Sequence, residues 1–192
     1  MNLLILGPQG AGKGTQAKRI AAEYGLPHIA SGDMLRRAIA EDTPLGRKIK
    51  PIYDSGALVP DDLMIALFRE RLSQPDTADG FILDGFPRTL PQADALDAML
   101  RDIDRQLDLV LEIQVPDEVA VERLRRRAAI EGRPDDTPEA IRRRLELYHE
   151  ETEPLVEYYR VRGNVVGIHG DRSENEVFAE IQRAVEQAGA VA

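Results

Sequence analysis

The apolar run Leu3-Leu4-Ile5-Leu6 stops at Gly7-Pro8-Gln9-Gly10-Ala11-Gly12-Lys13-Gly14-Thr15, and a helix-like stretch from Gln16 to Tyr24 follows. A strand, a glycine-rich loop ending in lysine, and a helix in that order make a phosphate cradle. The glycines let successive backbone N–H groups turn inward, because no Cβ blocks the required φ values. The positive end of the helix adds to the field on an anion. Lys13 supplies a mobile full charge for β- and γ-phosphates. The common form of this loop has Ser or Thr directly after the lysine, whereas here Gly14 stands there and Thr15 comes one later. Direct coordination of Mg²⁺ by a hydroxyl is therefore less well supported than the cradle itself. The plainer alternative, a glycine-rich turn with a chance lysine, has the strand and helix context against it.

Short apolar runs recur along the chain with helical patterns between them. Strands are expected at Asn2–Leu6, Pro27–Ala30, Gly80–Asp84, Leu107–Gln114 and Asn164–His169. They are continuously apolar rather than alternating, as strands of a parallel sheet covered on both faces are. Helical stripes run through Asp61–Ser73, Pro138–Arg162 and Ser173–Ala188, with a kink expected at Pro154. The pattern reads as an α/β three-layer sandwich on a five-stranded parallel sheet. The 192 residues suit one domain. Ser31–Ser73 is helical without a strand and reads as a lobe beside the sheet. The polar bend Ala128–Thr137, between Arg-rich helices, reads as a short lid.

The net charge of −9 disfavours non-specific binding to nucleic acid or to an acidic membrane. Cysteine is absent, which excludes disulfides, thiol catalysis and Cys-ligated zinc. No apolar run approaches a membrane span, and the N-terminus enters a strand with no signal-like segment. A cytoplasmic protein is the expectation.

Phe81-Ile82-Leu83-Asp84 is an apolar strand ending in a carboxylate. Parallel sheets gather ligands at strand carboxyl ends, so Asp84 is placed to hold Mg²⁺ directly or through water. The turn Gly85-Phe86-Pro87-Arg88-Thr89 then sets Arg88 at the mouth of the site, where a guanidinium can fork onto two phosphate oxygens. Gln92, one helical turn on, is a candidate reader of a base edge. Arg123 and Arg127 share a helix face, while Arg133 lies in the bend and Arg144 on the next helix. Four such charges converging on one cleft repel unless anions fill it, as expected where phosphates meet. Arg125, Arg126, Arg142 and Arg143 read instead as a solvated face paired with Glu118, Glu122, Glu131, Asp135 and Asp136. Ser31 reads as a helix cap or a ligand contact, and Asp33 as suited to the helix dipole. His28, His149 and His169 show no ligand spacing and read as structural.

Taken together, Gly7–Gln16 (GPQGAGKGTQ), Ser31–Arg36 (SGDMLR), Gly56–Asp61 (GALVPD), Leu83–Gln92 (LDGFPRTLPQ) and Gly132–Asp136 (GRPDD) resemble the adenylate kinase family of nucleoside monophosphate kinases, in order and along nearly the whole chain. In that family Gly after the loop lysine is normal. The resemblance implies that Gly10, Ala11, Gly12, Lys13, Gly14 and Thr15 bind the ATP phosphates, with Arg123 and Arg127 on the lid side and the backbone near Arg172 at adenine. Ser31, Arg36, the backbone of Ala57, Leu58 and Val59, Gly85, Phe86, Pro87, Arg88 and Gln92 would bind AMP. Arg133 and Arg144 would clamp the phosphates. Lys13, Arg88, Arg123, Arg133 and Arg144 would share catalysis. Asp84, with Thr15, would orient the waters of Mg²⁺. The lid resembles the short form, so no lid zinc is expected, and the chain is expected to act as a monomer.

The reaction implied is ATP + AMP ⇌ 2 ADP. Family members acting on UMP or CMP usually carry Asn where Thr89 stands, which favours AMP and leaves pyrimidine monophosphates as the runner-up. A nucleotide-dependent switch is the rival from another class. It lacks support, because no Asn-Lys-x-Asp guanine signature is present.

Overall fold

The computed structural model describes residues 1–132 and 136–189, so the expectation for Arg133 lies outside the described residues. Five strands, β1 (Asn2–Leu6), β2 (His28–Ala30), β3 (Phe81–Asp84), β4 (Leu109–Gln114) and β5 (Val165–His169), form one sheet. All pairs are parallel and the spatial order is β2-β3-β1-β4-β5. Four strands begin one or two residues later than expected, although residues just before them still bond to neighbouring strands: Pro27 O accepts from Ile82 N at 3.0 Å and Asn164 O from Val110 N at 2.8 Å. Gly80 has φ +141°, and a Cβ there would stand 2.2 Å from the Met1 carbonyl oxygen. Asn164 donates its amide to the Leu107 carbonyl at 3.0 Å.

The strands are apolar on both faces because both faces are covered. From β1, Leu3 and Ile5 pack with Ala17 and Ile20 of α1 (Lys13–Tyr24) and with Ile181 and Val185 of α9 (Glu174–Gly189). Leu4 and Leu6 point the other way, toward Leu96 of α5 (Leu90–Arg101) and Leu155 of α8 (Pro154–Arg160). This alternation gives the three layers. β1 sits between β3 and β4, where strand order reverses, and its carboxyl end opens into the ligand crevice of such sheets.

Between β2 and β3 run α2 (Ser31–Ala40), α3 (Pro44–Asp54) and α4 (Asp61–Leu72), the helical insertion read from the pattern. After β4 come α6 (Asp117–Glu131) and α7 (Pro138–Leu147). Thr43 caps α3 by accepting from Gly46 N at 2.8 Å, and Thr137 caps α7 by accepting from Ala140 N at 3.2 Å. Each threonine is followed by a proline at the first helical position, whose missing N–H costs nothing there. Ser173 and Glu176 form a reciprocal capping box at the start of α9.

The long helix expected over Pro138–Arg162 is not one kinked helix. A π-turn over Tyr148–Thr152 separates α7 from α8, and Glu153 N bonds to the Tyr148 carbonyl at 2.7 Å. Pro154 offers no N–H and would collide with the carbonyl four residues back, so the preceding turn widens by one residue. The widened turn lets Thr152 Oγ donate to the Arg88 carbonyl at 2.8 Å. Among the described residues no helix is long and apolar enough to cross a membrane.

Candidate active site

The loop after β1 turns because three of its glycines take positive φ: Gly7, Gly10 and Gly12. At Gly10, with φ +85°, a Cβ would also stand 2.4 Å from the Ala120 carbonyl oxygen, so no other residue fits. Gly12 is the N-cap of α1 and brings no side-chain cap, which leaves first-turn N–H groups facing the cavity. Lys13 opens α1 and donates to the Pro8 carbonyl at 2.8 Å. Burial lowers its pKa from 10.5 to about 8, against the pull of Asp84 and with the help of Arg88 and Arg127.

Asp84 ends β3 beside this loop. Burial would raise its pKa, but a hydrogen bond from His28 and the charges of Lys13, His28 and Arg88 more than offset that and hold the carboxyl below its usual value. His28 Nε2 lies 3.4 Å from Asp84 Oδ2 and the ring borders the cavity, so this histidine belongs to the site rather than to the framework alone. Spacing along the sequence hid it, since the parallel pairing of β2 and β3 is what brings the two together.

Arg88 is held from several directions. Its Nε donates to the Gly85 carbonyl at 2.8 Å and its N–H to Gln92 Oε1 at 2.8 Å. Burial lowers its pKa, with Asp84 opposing and Arg144 adding. A guanidinium taken out of water in this way is set to receive an anion.

The Arg-rich helices meet over the same space. Asp136 has no exposed side-chain surface, and it accepts Arg127 Nε and Nη2 at 2.7 and 2.8 Å and Arg144 Nη1 at 3.0 Å. This corrects the expectation that only anions would hold those arginines together: one carboxylate between them already offsets the repulsion. It also removes Asp136 from the solvated face. Arg125, Arg126, Arg142 and Arg143 are exposed as expected, although Arg126 borders the cavity. Arg123 Nη1 reaches the Ala11 carbonyl at 3.4 Å, tying α6 to the phosphate loop.

One cavity of about 650 Å³ collects most of the residues singled out from sequence. Gly10, Ala11, Gly12, Lys13, Gly14, Thr15, Arg123, Arg127 and Arg172 line it, as do Ser31, Arg36, Ala57, Leu58, Val59, Asp84, Gly85, Arg88 and Arg144. Phe86, Pro87 and Gln92 do not. Phe86 is fully buried and stacks on Phe68 with ring centroids 3.9 Å apart, so its side chain serves the core. Pro87 borders a smaller neighbouring hollow. Gln92 is 1 % exposed, and its amide is engaged by the Arg88 N–H and by Asp61, to which it donates at 2.7 Å. Ser31 does not cap α2: the cap position is Ala30, and the Ser31 hydroxyl donates to the Gly85 carbonyl at 2.8 Å. β2 runs into α2 with no intervening loop, so Ser31 is already the first helical residue. Tyr53, also in the wall, was missed because no motif contains it.

Among the described residues no three His, Cys, Asp or Glu side chains gather as a metal nest. The oxygen donors facing the loop, Asp84 and Thr15, are hard ligands too few to hold a cation alone. They suit Mg²⁺, which keeps waters and shares a carboxylate with substrate phosphates.

The adenylate kinase family pattern matches residues 5–164. Proteins named adenylate kinase from Cyanothece sp. and Maricaulis maris are each 49% identical to this chain. They align over 185 and 187 residues, covering 96% and 97% of this chain and 95% and 100% of theirs. One from Archaeoglobus fulgidus is 42% identical over 214 positions, covering 97% of this chain and 99% of its own. With a phosphate loop and a second set of arginines lining one cavity, and relatives matched almost end to end, the chain belongs to the adenylate kinase family.

Proposed function

We infer that this chain transfers the terminal phosphoryl group of Mg-ATP to AMP, reversibly, giving two ADP. The observation that carries the reading is that a single cavity is lined both by a triphosphate loop and by a second cationic set, Arg36 and Arg88. Arg123, Arg127 and Arg144 line the same cavity. Two phosphate-bearing substrates explain such a wall; one nucleotide held by a switch needs only the loop.

Within this reading Gly10 to Thr15 and Lys13 hold the ATP phosphates, with Arg172 beside the adenine end. Ser31, Arg36 and the segment Ala57–Val59 face the acceptor, whose phosphate Arg88 grips. Arg123 and Arg144, with Arg133, neutralise charge that spreads over the moving phosphoryl group. Catalysis is then alignment plus electrostatics, since no protein nucleophile is required. Asp84 and Thr15 are the residues that would orient the waters of Mg²⁺, which would supply charge neutralisation to the phosphates.

The test is a product assay by chromatography. Protein with Mg-ATP is offered AMP, CMP, UMP, GMP or no acceptor. Strong ADP formation with AMP alone is the expected result. Preference for CMP or UMP would overturn the acceptor, and slow hydrolysis with no acceptor phosphorylated would mean a switch. Asp84→Asn is expected to lower Mg²⁺ affinity or turnover about 10- to 100-fold.

A further inference from the structure

Tyr53 lies near the end of α3, half-buried in the cavity wall. Its hydroxyl accepts from Arg36 Nη1 at 2.7 Å. Its carbonyl accepts from Arg144 Nη2 at 3.2 Å, and its ring centroid is 5.4 Å from the Arg144 guanidinium carbon. The two arginines come from separate elements, α2 and α7. Each is also held by an acid on its other side: Arg36 Nη2 by Asp33 at 2.5 Å, and Arg144 Nη1 by Asp136 at 3.0 Å.

The chemistry of the Tyr53 contacts differs from that of the acids. A phenol oxygen, a carbonyl and a ring face all orient a guanidinium without cancelling its charge. A carboxylate in the same place would hold the arginines more firmly, but would compete with the phosphate they are meant to attract. Tyr53 thus fixes direction while leaving charge free to act.

We propose that Tyr53 is a positioning residue that sets Arg36 and Arg144 side by side for the acceptor phosphate. The proposal rests on the reading of this cavity as an AMP site. Its parts bear on different arginines: the hydroxyl bonds to Arg36, while the ring and the carbonyl meet Arg144.

Tyr53→Phe and Tyr53→Ala test it, with AMP and ATP varied independently and thermal unfolding followed in parallel. Losing one hydrogen bond to a charged group is expected to raise the KM for AMP about 3- to 10-fold in Tyr53→Phe. Its KM for ATP and its kcat are expected to stay within about twofold, the ring and carbonyl being retained. Tyr53→Ala should show the same rise together with a fall in kcat, because Arg144 loses the ring. An unchanged KM for AMP in Tyr53→Phe, or an equal rise for both nucleotides, overturns the proposal. If Tyr53→Ala does not fold, the Phe variant decides alone. Failure of the unaltered protein to phosphorylate AMP would instead overturn the reading of the site.

Discussion

Lys13 folds its ammonium back onto the Pro8 carbonyl, 2.8 Å away in the same loop. A triphosphate must draw it off that carbonyl and needs it charged. Because burial lowers its pKa from 10.5 to about 8, the free protein loses this charge above about pH 8. The KM for ATP is therefore expected to hold steady below that pH and to rise above it. Calorimetry near pH 9, in buffers of different ionisation enthalpy, should show proton uptake on ATP binding. Lys13→Met should abolish both the uptake and the transfer without unfolding the domain. The sign for stability is the reverse of the binding effect. Between about pH 8 and 10.5 the unfolded chain binds this proton more tightly, so the Lys13 contribution to stability grows as pH rises through that window. ATP affinity that ignores pH over the same range would refute the assignment.

Asp136 is the common partner of Arg127 and Arg144, and its removal leaves two guanidiniums facing each other. Arg144 is 7% exposed at its side chain and Arg127 28%, so the loss is only partly screened by water. Asp136→Ala is expected to cost about 2–4 kcal/mol in urea unfolding. Saturating ATP should recover part of that, since its phosphates replace the missing charge. Equal losses with and without nucleotide would show that the arginines do not meet the ligand.

Thr89 caps α5 by accepting from Gln92 N at 3.4 Å and donates to Asp61 at 2.9 Å. It is 7% exposed and does not line the cavity, so its link to acceptor choice is indirect at most. Thr89→Asn keeps a cap and a donor and should leave AMP preferred over CMP and UMP in the product assay. Thr89→Val loses both and should destabilise by about 1–2 kcal/mol. A switch to pyrimidine acceptors in Thr89→Asn would restore a direct role for this residue.

His149 bridges the start of α6 and the π-turn, with Nδ1 2.9 Å from Glu153 and Nε2 3.1 Å from Asp117. The hydrogen bond with Glu153, joined by that with Asp117, raises its pKa despite some burial. A raised value means the stabilisation is full below the unfolded pKa of about 6.5 and is lost as pH climbs through the folded value. The ring is 42% exposed, so the effect is under about 1 kcal/mol. His149→Gln should lower the unfolding midpoint at about pH 6 and match the parent protein at about pH 9. A constant difference across that range would contradict the ion-pair account.

Much of this molecule follows from local chemistry that a sequence displays. The run Leu3–Leu6 needed cover on both faces, and the strand order places it mid-sheet. Gly10 and Gly12 prescribe the loop, because only glycine takes those φ values without strain. The threonine–proline pairs mark where α3 and α7 begin. Those are decisions between neighbours in the chain, and neighbours are what a sequence shows. Which polar groups pair across the fold is decided by distance in space. His28 reaches Asp84, Asp61 gathers Thr89 and Gln92, and Tyr53 joins Arg36 to Arg144 only after strands pair and helices pack. Buried donors and acceptors must find partners wherever packing leaves them, so those pairings belong to the tertiary structure alone.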